Sequence, residues 1–387
     1  MKILILGSGM YVTGRNGTGS GTILSSLAQT SKSMQIDEVI VVSKSKTSEA
    51  HVAEAVQRIN KKLNSNLQVR FVLLENDFNN QLQQLNSKTK VGAAVVSLPD
   101  HLHFEFTKTL LEQKIHSLVV KPLTPTLAEA KELIRLQEQN KVFGCVEFHK
   151  RYDETNLYIK RALNENTLGD ILFFQVDYSQ RISIPTTTFK SWAHLTNIFQ
   201  YLGVHYVDLI YFLTGATPQR LTSVGTDGIL KQQGIDTYDS VHTTIEWLST
   251  SGKKFVSILN ISWVDANKSS ALSDQKYKVV GTEGRIECDQ KNRGVELVTE
   301  KTGIQQINPY FSDYLPDENG DLKFAGYGHT SIHNFFKDVN DLMNGKVTLE
   351  HLQTHRPSFQ SALPSTAIVE AVNESLLNNG EWTLVQC

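Results

Sequence analysis

Cysteine is scarce in this chain: 387 residues hold three, Cys145, Cys288 and Cys387. They are far apart and odd in number, so neither a disulfide framework nor a metal-ligand spacing is visible. A reducing, cytoplasmic setting is the expectation. An excess of one charge is lacking too. A net charge of -2 gives nucleic acid or an anionic membrane nothing to hold. No apolar run approaches the roughly 18 residues a membrane helix needs. Ile3-Leu4-Ile5-Leu6 follows one lysine and precedes no cleavage-like site, so it reads as a first core strand and not a signal peptide. There is no internal repeat and no low-complexity linker. His101-Leu102-His103 looks like a metal pair, but no acidic or cysteine cluster nearby completes a site, and no metal is expected.

What remains is a globular composition, 40% hydrophobic and 20% charged, with length for two domains that each bury a core. The first part alternates strands and helices. Strands are expected at Lys2–Leu6, Val39–Val42, Val69–Leu74, Val91–Leu98 and Ser117–Val120. Helices are expected at Thr22–Gln29, Val52–Leu63 and Phe104–Gln113. Apolar strands in this order imply a parallel sheet covered on both faces, with ligands bound beyond the carboxyl ends of its strands.

The first strand runs into GSGMYVTGRNGTGSGT. After Gly7 and Gly9 the usual third fingerprint glycine is replaced by Val12, and Gly14, Gly17, Gly19 and Gly21 follow. In a dinucleotide-binding unit the end of the second strand lies about 20 residues past the last fingerprint glycine. Ser43 lies 22 residues past Gly21 and 29 past Gly14. The spacing therefore predicts a lengthened loop with its helix opening near Gly19 or Gly21. Gly7 and Gly9 would let the backbone approach a pyrophosphate, with Met10 beside them, and amides near Gly21 and Thr22 would point at it. No Gly-Lys-Ser/Thr follows, which argues against a P-loop. Ser43-Lys44 stands where an NAD site usually carries an acid, so NAD(P) is the expected cofactor, leaning to NADP.

The next stretch, AAVVSLPDHLHFEF…HSLVVKPLTPT…CVEFHKRYDE, resembles the Gfo/Idh/MocA family of NAD(P)-dependent sugar and cyclitol oxidoreductases. The family pattern has a strand ending in Thr-Pro, then a histidine, then a strand ending in Glu-Lys-Pro. Here these are Ser97-Leu98-Pro99, His103 and Val120-Lys121-Pro122. Downstream, YLGVHYVDLIYFLTG and VVGTEGRIECD resemble further family segments, so the likeness runs in order along nearly the whole chain. It implies that Lys121 is the catalytic lysine and His205 the proton donor and acceptor. It also implies that Ser97, Pro99, His103, Lys121 and Pro122 line the cofactor, with His103 opening a helix beside the nicotinamide ribose. Where many members carry Asp, one turn before the histidine, this chain has Tyr201.

From about Leu123 the pattern changes to longer alternating strands. The reading is a Rossmann domain over 1–122 and an α+β domain over 123–387 with a large, mostly antiparallel open sheet, whose C-terminal helix packs back on the first domain. The resemblance implies a homodimer or homotetramer through that sheet. Residues suited to a polyhydroxylated ring are Arg151, Tyr152, Tyr178, Arg181, Trp192, Asn197 and Tyr238. The leading reading is hydride transfer between nicotinamide and a sugar, cyclitol or sugar derivative. Arg151 and Arg181 keep open a nucleotide-sugar dehydrogenase or reductase of surface-glycan synthesis. Tyr201 and the irregular glycine loop keep open a cofactor-binding regulator without turnover.

Overall fold

A computed structural model describes residues 1–14, 20–87 and 89–386. Gly17, Gly19 and Cys387 lie outside the described residues. The chain divides into two units. The first holds residues 1–123, 128–153 and 310–362, and the second holds 124–127, 154–309 and 363–387.

The first unit begins with β1 (Lys2–Leu6), a one-turn helix α1 (Met10–Thr13), α2 (Thr22–Thr30), β2 (Glu38–Ser43) and α3 (Ser48–Leu63). Next come β3 (Val69–Leu73), α4 (Phe78–Asn86), β4 (Val91–Val96), α5 (His103–Glu112), β5 (His116–Val120), α6 (Leu127–Asn140) and β6 (Gly144–Glu147). Residue 127, at the head of α6, groups with the second unit. The six strands are parallel in the order β3-β2-β1-β4-β5-β6. All five residues of β1 are buried, as are the four central residues of β2, which is why these strands read as unbroken apolar runs. Strand order reverses between β1 and β4, where such sheets open a crevice at their carboxyl edge.

The second unit opens with α7 (Glu154–Asn164), β7 (Ile171–Arg181), α8 (Val204–Thr214), β8 (Thr217–Thr226) and the single turn α9 (Ile229–Gln232). It continues through β9 (Ser240–Leu248), β10 (Lys254–Asp265), β11 (Ser273–Gly281), β12 (Arg285–Asp289) and a hairpin of β13 (Val295–Thr299) and β14 (Gly303–Ile307). The chain then returns to the first unit as β15 (Asp313–Pro316), β16 (Leu322–Ala325), α10 (Tyr327–Met343) and α11 (Leu349–His355). It closes in the second unit with α12 (Leu363–Leu377) and β17 (Thr383–Leu384). The large sheet runs β12-β11-β7-β10-β9-β8-β17 and is antiparallel except between β7 and β10. One face is apolar, with Phe174, Val176, Leu259 and Ile261 buried. The other is more polar: Asp177 accepts from Asn260 Nδ2 (2.8 Å), and Asn260 Oδ1 meets His242 Nδ1 (2.9 Å).

The helix that packs on the first unit's core is α10, not the C-terminal one. Phe335, Phe336 and Val339 of α10 join Ile23, Leu24 and Leu27 of α2 in one buried cluster. α12 lies instead in the second unit, where Ser375 Oγ accepts from Ser223 N on β8 (2.9 Å). The 1–122/123–387 division is corrected in the same way: β6 completes the parallel sheet, and α10 fills the first core.

Candidate functional site

The loop after β1 is built around two glycines that no other residue fits. Gly7 has φ +103, and a Cβ there would lie 2.1 Å from the Ser97 carbonyl oxygen. Gly21 has φ +74, and a Cβ would lie 2.6 Å from the Thr13 carbonyl carbon. The nine-residue helix α2 opens directly after Gly21, as the spacing predicts. The unforeseen part is α1. It starts immediately after Gly9, with Val12 N–H and Thr13 N–H both returning to the Gly9 carbonyl at 3.0 Å. Gly21 and the buried Thr22 thus sit against the end of α1, and Met10 is the first residue of the turn facing the end of β1 in sequence. Gly9 differs from both glycines, because a Cβ there would meet nothing within 4 Å among the described residues. Those residues leave its backbone open to the close approach that a phosphate requires. Ser8 Oγ lies 2.9 Å from Ser43 Oγ, which ties this loop to the end of β2. Lys44, next in the chain, is exposed.

At the same carboxyl edge, Ser97 follows β4 and Pro99 opens the turn Asp100–Leu102. His103 starts α5, but its ring is fully buried between two backbone carbonyls: Nδ1 to Pro122 O is 2.7 Å and Nε2 to Leu98 O is 2.9 Å. Both nitrogens are committed, so the expected contact of His103 with a ribose is corrected. The ring links the turn after β4 to the segment after β5. That segment carries a cis Lys121–Pro122 bond. Lys121 is only 7% exposed. Burial lowers its pKa from 10.5 to about 8, against the pull of the Asp100 and Glu147 carboxylates. Near neutral pH such an amine can hold a proton or give one up, as acid–base chemistry requires.

Sequence reasoning missed Asp100 and Glu147, which are 3% and 1% exposed. Each is a single acid at a strand or turn end, and only the fold shows that they are buried beside a lysine. Arg151 and Tyr152 follow β6. The Arg151 guanidinium is buried, donates to Ser361 Oγ (3.3 Å) and lies over the Phe148 ring. Burial pushes the Tyr152 phenol up.

The second unit brings together a different set. Helix α8 starts at Val204, after a wide π-type turn over Phe199–Gly203 that carries Tyr201. Tyr201 packs among the rings of Phe189 (5.1 Å), Trp192 (6.2 Å) and Trp263 (5.5 Å). His205 is in the first turn of α8 and is 5% exposed. Asn197 Oδ1 accepts from Gln200 N (3.0 Å), within the π-type turn, and its amide donates to Asn373 (2.6 Å). Asn197, Gln200, Tyr238 and Asn373 line a cavity of about 340 Å³. Tyr178 is buried against Tyr206, and burial raises its pKa to about 12. Arg181 donates to the Ser269 carbonyl at the end of β7. Among the described residues there is no cluster of three metal-ligating side chains, and no helix is long and apolar enough to cross a membrane.

Two family models match the chain. Residues 60–148 match one described as "Oxidoreductase family, NAD-binding Rossmann fold", and residues 156–287 match one described as "GFO/IDH/MocA C-terminal domain". The NADP(+)-dependent scyllo-inositol 2-dehydrogenase of Bacillus subtilis is 26% identical over 220 residues, 54% of this chain; the match spans 59% of that relative's length. Levoglucosan dehydrogenase of Pseudarthrobacter phenanthrenivorans is 24% identical over 71% of this chain and 76% of its own. The crystal structure of scyllo-inositol dehydrogenase from Lactobacillus casei with bound NAD(H) and scyllo-inositol superposes with a TM-score of 0.69 at 15% identity, covering 100% of this chain and 99% of that one. At that identity the likeness bears on the fold alone. The two family models together span more than half of the residues, in the order of the two sheets, and the chain belongs to the Gfo/Idh/MocA oxidoreductase family.

Proposed function

We propose that this protein is an NAD(P)-dependent dehydrogenase or reductase that transfers a hydride between nicotinamide and a secondary hydroxyl of a cyclitol or sugar. The observation that carries the reading is Lys121, a buried amine with a pKa near 8, at the same sheet edge as Gly7-x-Gly9. The residues fit the cofactor. Gly7 and Gly9 would receive the pyrophosphate, Ser43 and Lys44 the adenosine ribose, and Ser97 and Pro99 the nicotinamide half. When bound, nicotinamide supplies the hydride acceptor or donor. Lys121 donates a hydrogen bond to the reacting oxygen and stabilises charge developing on it. His205 takes or returns the hydroxyl proton, and Tyr201 orients the substrate by a single hydrogen bond. Asn197 and Tyr238, which share a cavity, are proposed to bind further hydroxyls, together with Trp192, Tyr178 and Arg181.

An exposed lysine after Ser43 in place of an acid supports NADP over NAD. The NADP(+) in the name of the Bacillus relative points the same way. Cyclitols are favoured as substrates by the scyllo-inositol 2-dehydrogenase of Bacillus subtilis among the similar proteins. A homodimer or homotetramer through the large sheet is part of the proposal. The test is reduction of NADP and NAD in the presence of myo-inositol, scyllo-inositol, glucose, xylose and levoglucosan. Reduction with one of these supports the reading; tight cofactor binding with no turnover of any polyol or its ketone would favour a regulator.

A further inference from the structure

Lys121 is the only residue of its strand end able to carry charge, since Val120 before it and Pro122 after it are not ionisable. In the family pattern a glutamate precedes the lysine; here Val120 takes that place. The residue in register with Val120 on the neighbouring strand is Glu147, the last of β6. Glu147 is 1% exposed. Its Oε2 meets His149 Nδ1 at 2.9 Å, while its Oε1 is buried with no hydrogen-bond partner among the described residues. A carboxylate oxygen in that state is costly unless a cation stands near it. His149 is itself fixed. Its ring stacks on Tyr327 (5.7 Å, 24° between planes) and meets the edge of Phe311 (5.2 Å). The charged groups that act on the ammonium are Asp100, from the turn before α5, and Glu147, at the end of β6; His103 at the start of α5 bonds backbone carbonyls, and His149 bonds Glu147.

We propose that Glu147, steadied by His149, is a positioning residue that holds the Lys121 ammonium as its counter-ion, replacing across the strand pair the carboxylate that position 120 lacks. This rests on the proposed role of Lys121, but it is testable without turnover. Glu147 touches neither substrate nor cofactor in this scheme. It keeps the lysine charged and aimed, and so sets the pH at which Lys121 exchanges its proton. Both carboxylates raise the lysine pKa against burial. Removing one charge must therefore lower it further, whichever form of the lysine is active.

The test is a pH titration of lysine side-chain carbon and nitrogen signals in isotopically labelled protein, with Lys121 assigned from its loss in Lys121→Arg. In Glu147→Gln the Lys121 midpoint should fall by about one pH unit. The pH profile of kcat should move with it, while KM for the polyol changes little. If Glu147→Gln does not fold, Glu147→Asp retains the charge one methylene further back and should give a smaller downward shift. An unchanged Lys121 midpoint in whichever variant folds would overturn the proposal. A shifted midpoint in a protein that oxidises no polyol would support the pairing and count against the proposed function instead.

Discussion

Ser8 and Ser43 meet at 2.9 Å, hydroxyl to hydroxyl, joining the glycine loop after β1 to the end of β2. Ser43 also reaches Ser48 Oγ at 3.4 Å, at the start of α3. The position that in NAD-binding relatives of this fold holds an acid is thus a hydroxyl fixed by its neighbours, and the adjacent exposed side chain is Lys44. Replacing Lys44 by Asp should reverse the sign of charge facing a 2′-phosphate. The ratio of NADP to NAD affinity should fall roughly tenfold or more, about 1.4 kcal/mol. Calorimetric titration of both cofactors checks this, and an unchanged ratio would remove Lys44 from the 2′ site.

Gly7 and Gly9 should separate fold from function. Gly7→Ala forces an L-residue to φ +103 with its Cβ 2.1 Å from the Ser97 carbonyl, and should destabilise by about 2–4 kcal/mol in urea unfolding. At Gly9, φ -71, an added Cβ meets no described residue within 4 Å, so Gly9→Val should leave stability within about 0.5 kcal/mol. Cofactor affinity should nevertheless drop at least about tenfold, because a branched side chain then stands where the phosphate must approach. Normal cofactor binding by Gly9→Val would refute the loop assignment.

Acid sensitivity should arise in part from His116. Its Nδ1 accepts the Phe143 N–H at 2.9 Å, so it is held neutral. Burial, aided by Lys90, lowers its pKa from 6.5 to about 4. The folded value lies below the unfolded one, so the unfolded chain binds the proton first. The stabilisation is present above pH 6.5 and is lost as pH falls toward 4. Between pH 7 and pH 5 the loss is about 2 kcal/mol. His116→Asn removes the titration, and its unfolding free energy should fall less over this interval than that of the wild type. Equal slopes would contradict the assignment. His329, lowered to about 4 by burial, acts in the same direction in both proteins.

The parallel sheet was legible because β1, β2 and β4 are buried on both faces over their central residues, and so carry apolar runs there. The lengthened glycine loop was legible from one distance, Gly21 to Ser43. By contrast, α4, FNNQLQQLN, holds apolar residues only at Phe78, Leu82 and Leu85 among polar ones, and its Asp77 cap is visible only once Asn80 N–H is seen to bond it. The hairpin β15–β16 and helix α10 are distant in sequence from the core they join. Tyr314 of that hairpin reaches Ser25 on α2 at 2.8 Å, a contact no local pattern encodes. Glu147 and Asp100 were invisible for the same reason. A lone acid reads as surface until the register of β5 with β6 shows it buried.

His205 and Tyr201 should differ in weight. His205→Ala removes the proposed proton acceptor and should lower kcat by about 10²–10⁴-fold with little change in cofactor affinity. Tyr201→Phe removes one orienting hydrogen bond, about 0.5–1.5 kcal/mol, and keeps the ring packed among Phe189, Trp192 and Trp263. Steady-state kinetics on the same polyol rank the two. Near-normal turnover in His205→Ala would remove that histidine from the chemistry.

The most direct measurement is single-turnover hydride transfer, followed by the absorbance of reduced nicotinamide, in wild-type protein and Lys121→Ala. Both are first saturated with cofactor and then mixed with the polyol that the substrate panel identifies. The wild type should reduce its bound cofactor. The variant should hold the cofactor equally well yet react about 10²–10⁴-fold more slowly. A variant that transfers hydride at the wild-type rate would contradict the account.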